Sequence, residues 1–135
     1  MTWAFDESNF NSPINDWDVS NVRDMSVMFY NTDFDQNISL WNTSNVEDMS
    51  FMFWGNNEFN QDLSSWDVNK VTTMTAMFYN ARKFDQDISM WNVSNVEYFN
   101  FMFSSAIRFD QNISGWDVSS VEDFALMFSN AESFD

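Results

Sequence analysis

The sequence predicts an α/β repeat protein, a solenoid with a short strand and a short helix in each turn of 25 residues. Three observations lead there. A tryptophan recurs at Trp17, Trp41, Trp66, Trp91 and Trp116, in steps of 24, 25, 25 and 25 residues, and a self-similar period of that size means units that bury their apolar faces against one another. Each unit holds a short extended stretch flanked by turn formers, as in Asn37-Ile38-Ser39-Leu40-Trp41. Each then has apolar residues at i, i+3, i+6 and i+7, as in Val46, Met49, Met52 and Phe53, which lie on one face of a short helix.

The 135 residues divide into a single domain of units 10–33, 34–58, 59–83, 84–108 and 109–133. Residues 1–9 read as the tail of an earlier unit, with Ala4-Phe5 in register with Met28-Phe29, and residues 134–135 open a further one. Eight apolar columns run through the array, starting at Phe10, Ile14, Trp17, Val19, Val22, Met25, Met28 and Phe29. The expected helix opens on a capping box in Ser44-Asn45-Val46-Glu47, a pattern that returns at Ser94 to Glu97 and Ser119 to Glu122. An extended segment followed by a helical turn at this period is a solenoid of the leucine-rich-repeat type.

The strings FNQDLSSWDV, FDQDISMWNVSNV and NVEDMSFMF resemble the repeats of BspA-like leucine-rich-repeat surface proteins over nearly the whole chain. The resemblance implies a right-handed solenoid, display at an extracellular, cell or virion surface, and a role in adhesion or recognition. It carries no catalytic residues to transfer.

Composition limits the function. A net charge of −16, from 21 acidic and 5 basic side chains, argues against nucleic acid and anionic membrane surfaces as partners. No apolar run approaches the ~20 residues that span a bilayer, and no secretory signal is legible in this sequence. Histidine and cysteine are absent, so the many serines lack their usual activating base and thiolate metal sites are excluded. Carboxylate pairs recur in every unit, whereas a catalytic pair must be locally unique, so no enzyme and no cofactor are expected.

The column Asp18, Asn42, Asp67, Asn92 and Asp117 reads as a structural ladder in which Asn relieves the repulsion of stacked carboxylates. The competing reading is calcium held between turns by Asp67 and Asp117. Gln36, Gln61, Gln86 and Gln111 read as an amide ladder between turns, and the Asn-x-Ser/Thr matches at Asn37, Asn42, Asn92 and Asn112 as products of the repeat. Individuality sits in the variable columns. Leu40 and Met90 are expected to be exposed on the extended face. Phe51, Phe101, Trp54 and Tyr79 lie on columns that an ideal helix turns away from the core, and they either form an interface or tuck inward. The expected partner is a protein or cell-surface ligand bound by adhesion or recognition. The alternative is self-association of a structural subunit into a filament or coat.

Overall fold

The computed structural model describes residues 2–135, and among them there is neither an α-helix nor a named β-strand. The predicted strand and helix of each unit are replaced by tight turns, so the α/β, leucine-rich-repeat assignment is corrected. The period survives: successive coils lie on one another through parallel bridges Asp24↔Asp48, Asp48↔Thr73, Thr73↔Tyr98 and Tyr98↔Asp123.

A five-residue motif, repeated three times per coil, explains the departure. In the second coil it reads Asn37-Ile38-Ser39-Leu40-Trp41, Asn42-Thr43-Ser44-Asn45-Val46 and Asp48-Met49-Ser50-Phe51-Met52. The Asn or Asp Oδ1 accepts the amide two residues on, at 2.8 Å from Ser39, 3.2 Å from Ser44 and 2.7 Å from Ser50. The second residue's carbonyl accepts the amide of the fifth, in Ile38–Trp41, Thr43–Val46 and Met49–Met52. Side chains that bond their own backbone in this way compete with helix formation. The serines taken for helix caps, Ser44 and Ser94, instead donate their hydroxyls to Asn42 and Asn92. The second and fifth residues of each motif point inward. That 3-residue spacing reproduced the apolar rhythm of a helix.

The third turn also builds the inter-coil ladder. Met25, Val27, Phe29 and Asn31 donate their amides to the carbonyls of Asp48, Ser50, Met52 and Trp54 in the next coil. The intervening Met28 and Tyr30 amides close turns onto Met25 and Val27. Alternate peptide groups therefore serve the next coil and their own, which satisfies a buried backbone without a helix. This alternation needs left-handed backbone at two columns. Trp3, Val27, Phe51, Ala76, Phe101 and Leu126 have φ between 50° and 62°, and Glu7, Asn31, Gly55, Asn80, Ser105 and Asn130 between 48° and 69°.

Inside, side chains stack by column. Phe29, Phe53, Phe78, Phe103 and Phe128 form one file with successive ring centroids 5.5–5.7 Å apart. The Phe10 to Phe134 file interleaves with it, as in Phe78 against Phe84 at 3.8 Å. Trp41, Trp66, Trp91 and Trp116 are buried, and each indole N–H donates to the preceding coil, to Ile14, Ile38, Leu63 and Ile88 carbonyls respectively. Outside, Gln36, Gln61 and Gln111 donate to Asn11, Asp35 and Asp85 of the preceding coil, which is the amide ladder expected of them.

Candidate recognition groove

The third turn of each coil carries its fourth residue in the left-handed region. The ladder holds that conformation in the column Val27, Phe51, Ala76, Phe101 and Leu126, where Ala76 is buried and the other four side chains are partly or largely exposed. Three residues further on, the chain presents Tyr30, Trp54, Tyr79, Ser104 and Ser129. The two columns meet side by side. Ring centroids lie 4.5 Å apart for Tyr30–Trp54, 5.9 Å for Phe51–Trp54, 5.2 Å for Trp54–Tyr79 and 6.4 Å for Tyr79–Phe101, most of them edge to face.

Between the columns runs a groove. Its larger section, about 430 Å³, is lined by Trp3, Asp6, Glu7, Val27, Tyr30, Phe51 and Trp54. A second section of about 220 Å³ shares Phe51 and Trp54 and continues past Ala76 to Tyr79 and Phe101. The aromatics are half-buried: each leans on its neighbour and keeps part of its surface exposed. Trp3 is 63% exposed.

Among the described residues, the two charged ones that line the groove, Asp6 and Glu7, are both acidic. Asp6 Oδ1 is shut off from solvent and accepts no hydrogen bond. Burial, then the carboxylates of Glu7 and Asp6, pushes the Tyr30 hydroxyl above its ordinary value.

The six residues singled out in the sequence thus fall on two surfaces. Phe51, Trp54, Tyr79 and Phe101 come together in the groove. Leu40 and Met90, 76% and 85% exposed, stand alone on the first turn of alternate coils, with Ser65 in the coil between them. Trp3, Asp6 and Tyr30 were not singled out as site residues. The signal for them was the register of Ala4-Phe5 with Met28-Phe29, which sets Trp3 in the Phe51 column and Asp6 in the Tyr30 column.

Asp67 and Asp117 each use Oδ1 to accept the amide two residues on, from Asn69 and Ser119. They lie two coils apart, and among the described residues no group of three Asp or Glu side chains is placed to hold a metal ion. The four Asn-x-Ser/Thr sites coincide with turn motifs: Asn37, Asn42, Asn92 and Asn112 each accept the amide of the following serine.

The chain matches the family described as "Mycoplasma protein of unknown function, DUF285", over residues 1–98 and again over 65–135. No curated protein and no solved structure matches it.

Proposed function

The chain belongs to the DUF285 family, and we propose that it is a non-enzymatic recognition module of the BspA-like surface type, binding a protein or cell-surface ligand through its aromatic groove. One observation carries this reading: Tyr30, Phe51, Trp54, Tyr79 and Phe101 form a continuous, half-exposed apolar strip on a hydrogen-bonded ladder. Trp and Tyr dominate the energetics of protein interfaces because they bury much area for little lost rotamer freedom. A ladder bonded on both sides keeps the strip in place, so little ordering entropy is lost when a partner arrives. Ser44, Ser50 and Ser94 are engaged in turns and no histidine is available to activate a serine, which favours binding over chemistry. Display at a cell or virion surface follows from the resemblance of the repeats to BspA-like proteins.

The test is selection of a random peptide library on the immobilised chain, followed by binding to two variants. Phe51→Ser/Phe101→Ser is expected to lose the selected peptides at unchanged fold, whereas Leu40→Ser/Met90→Ser keeps them. Peptides that bind both variants equally, or a library that yields none, would sink the reading. Concentration-dependent association of the unmodified chain in sedimentation, abolished by the groove variant, would shift the assignment to self-assembly.

A further inference from the structure

Within the recognition groove proposed above, we propose that the end formed by Trp3, Asp6, Tyr30 and Trp54 holds an arginine side chain of an extended segment of a partner protein. The inference rests on the groove being a binding surface and adds the chemistry of what it takes.

Three observations support a cationic occupant. Asp6 lines the groove and is only partly buried, so its carboxylate places negative charge at this end. A cation lying in the groove offsets that charge. Among the described residues the groove's other charged lining residue is Glu7, and none of the chain's 5 Lys and Arg residues lines it. Four of those five already have a partner elsewhere: Arg23 with Glu47, Lys70 with Asn45, Arg82 with Asn80 and Lys83 with Glu58. The aromatic rings of Trp3, Tyr30 and Trp54 border the same space, and their negative π faces attract a cation already partly stripped of water. Carboxylate and indole together suit a guanidinium better than an ammonium, since its planar fork bonds the one and stacks on the other.

The source of the cation follows from what adjoins the site. The groove does not close behind Trp54 but continues as an apolar trough along Ala76, Tyr79 and Phe101. An arginine at one end with apolar side chains in the trough describes a peptide segment, where a free small cation would leave the trough empty.

Isotope-labelled full-length chain is titrated with an acetylated, amidated Arg-Gly-Leu-Phe peptide while the Trp3 and Trp54 indole N–H resonances are followed. Saturable shifts of both signals are expected, with binding at least ~10-fold tighter than for Gln-Gly-Leu-Phe and weakening as salt is added. Asp6→Asn, which keeps shape and removes charge, is expected to erase the preference for arginine at an unchanged urea midpoint. Equal binding of the two peptides, or an Asp6→Asn chain that still prefers arginine, overturns the proposal. So does arginine amide binding as tightly as the peptide, because it removes the partner segment. If library-selected peptides occupy the Phe51–Trp54 trough without a cation, the recognition reading stands and this one falls. If neither they nor the arginine peptide bind, both fall.

Discussion

Replacing Trp66 by alanine tests the stacking of coils most directly. Trp66 is 4% exposed, lies 6.3 Å from the Trp41 ring at an interplanar angle of 7°, and donates its indole N–H to the Ile38 carbonyl at 3.1 Å. Burying an indole removes roughly 200 Å² from water, worth about 5 kcal/mol at ~25 cal/mol per Å². The methyl group of alanine keeps a small part of that. The hydrogen bond adds about 1 kcal/mol, and its loss leaves no orphan, because the Ile38 carbonyl still accepts the Trp41 amide. The expected loss is therefore about 4–5 kcal/mol, at the upper end of what large-to-small core changes cost. Trp17 provides the comparison within the same column. It is 40% exposed, so Trp17→Ala is expected to cost only about 2–3 kcal/mol by the same area argument. Urea denaturation followed through the remaining tryptophans measures both, with a midpoint shift of roughly 2 M for Trp66→Ala at the slope usual for small domains. Equal losses for the two variants, or a loss below about 1 kcal/mol for Trp66→Ala, would refute a core built by column.

Other outcomes follow from the turns. Ser105 and Gly55 share a left-handed column, at φ 60° and 69°; Ser105→Gly is expected to gain about 0.5–1 kcal/mol, the relief of left-handed strain less the entropy cost of glycine. Gly55→Ala is expected to lose about 1–2 kcal/mol, since its new Cβ forces the Asn31 side chain aside while φ stays positive; opposite signs in urea midpoints check both. Hydrogen bonds from the serine two residues on, side chain first and amide second, hold the carboxyls of Asp18, Asp62, Asp87 and Asp117 below the usual range. Folded values below unfolded ones mean a contribution complete above the ordinary value of 3.8 and lost as pH falls through the folded values. A chain with all four changed to Asn is thus expected to lose less stability than the parent between pH ~7 and pH ~3, and an equal drop in both would contradict the assignment.

How much of this was legible in the sequence depends on which interactions are local. The period and the eight apolar columns were readable because inward residues recur wherever a coil needs core material. Val46, Met49, Met52 and Phe53 are all buried, as their spacing required. The element type was misread because tandem turns with inward second and fifth positions give the same spacing as one helical face. The discriminating signal was present: an Asn or Asp two residues before a serine, three times in the second unit, at Asn37, Asn42 and Asp48. Such pairs mark turns in which side chain and backbone bond locally. Ser44-Asn45-Val46-Glu47 satisfied the capping pattern, but its serine already belonged to Asn42, and the Glu47 amide bonds the Arg23 carbonyl of the preceding coil. The left-handed columns left less trace. Nothing in Val27, Phe51, Ala76, Phe101 and Leu126 signals positive φ, because inter-coil hydrogen bonds, not local preference, impose it.

The contrast between the two left-handed columns bears on function. One holds Asn31, Gly55, Asn80 and Asn130, residue types that enter this region at low cost, with Glu7 and Ser105 as its two exceptions. The other holds Val27, Phe51, Ala76, Phe101 and Leu126, which enter it at a penalty of about 1–2 kcal/mol each. If both columns served only to turn the chain, both would be expected to collect the tolerant types. Apolar side chains at the costly positions must be offset by what they touch, and part of that is internal, since Ala76 is buried and Phe51 packs on Trp54. The remainder faces outward, where Phe51, Phe101 and the rings beside them border the groove. Because the ladder bonds through backbone atoms, it fixes the conformation of this column while leaving side-chain identity free. A partner-binding strip has the same two requirements: a stationary frame and residues that can differ from coil to coil.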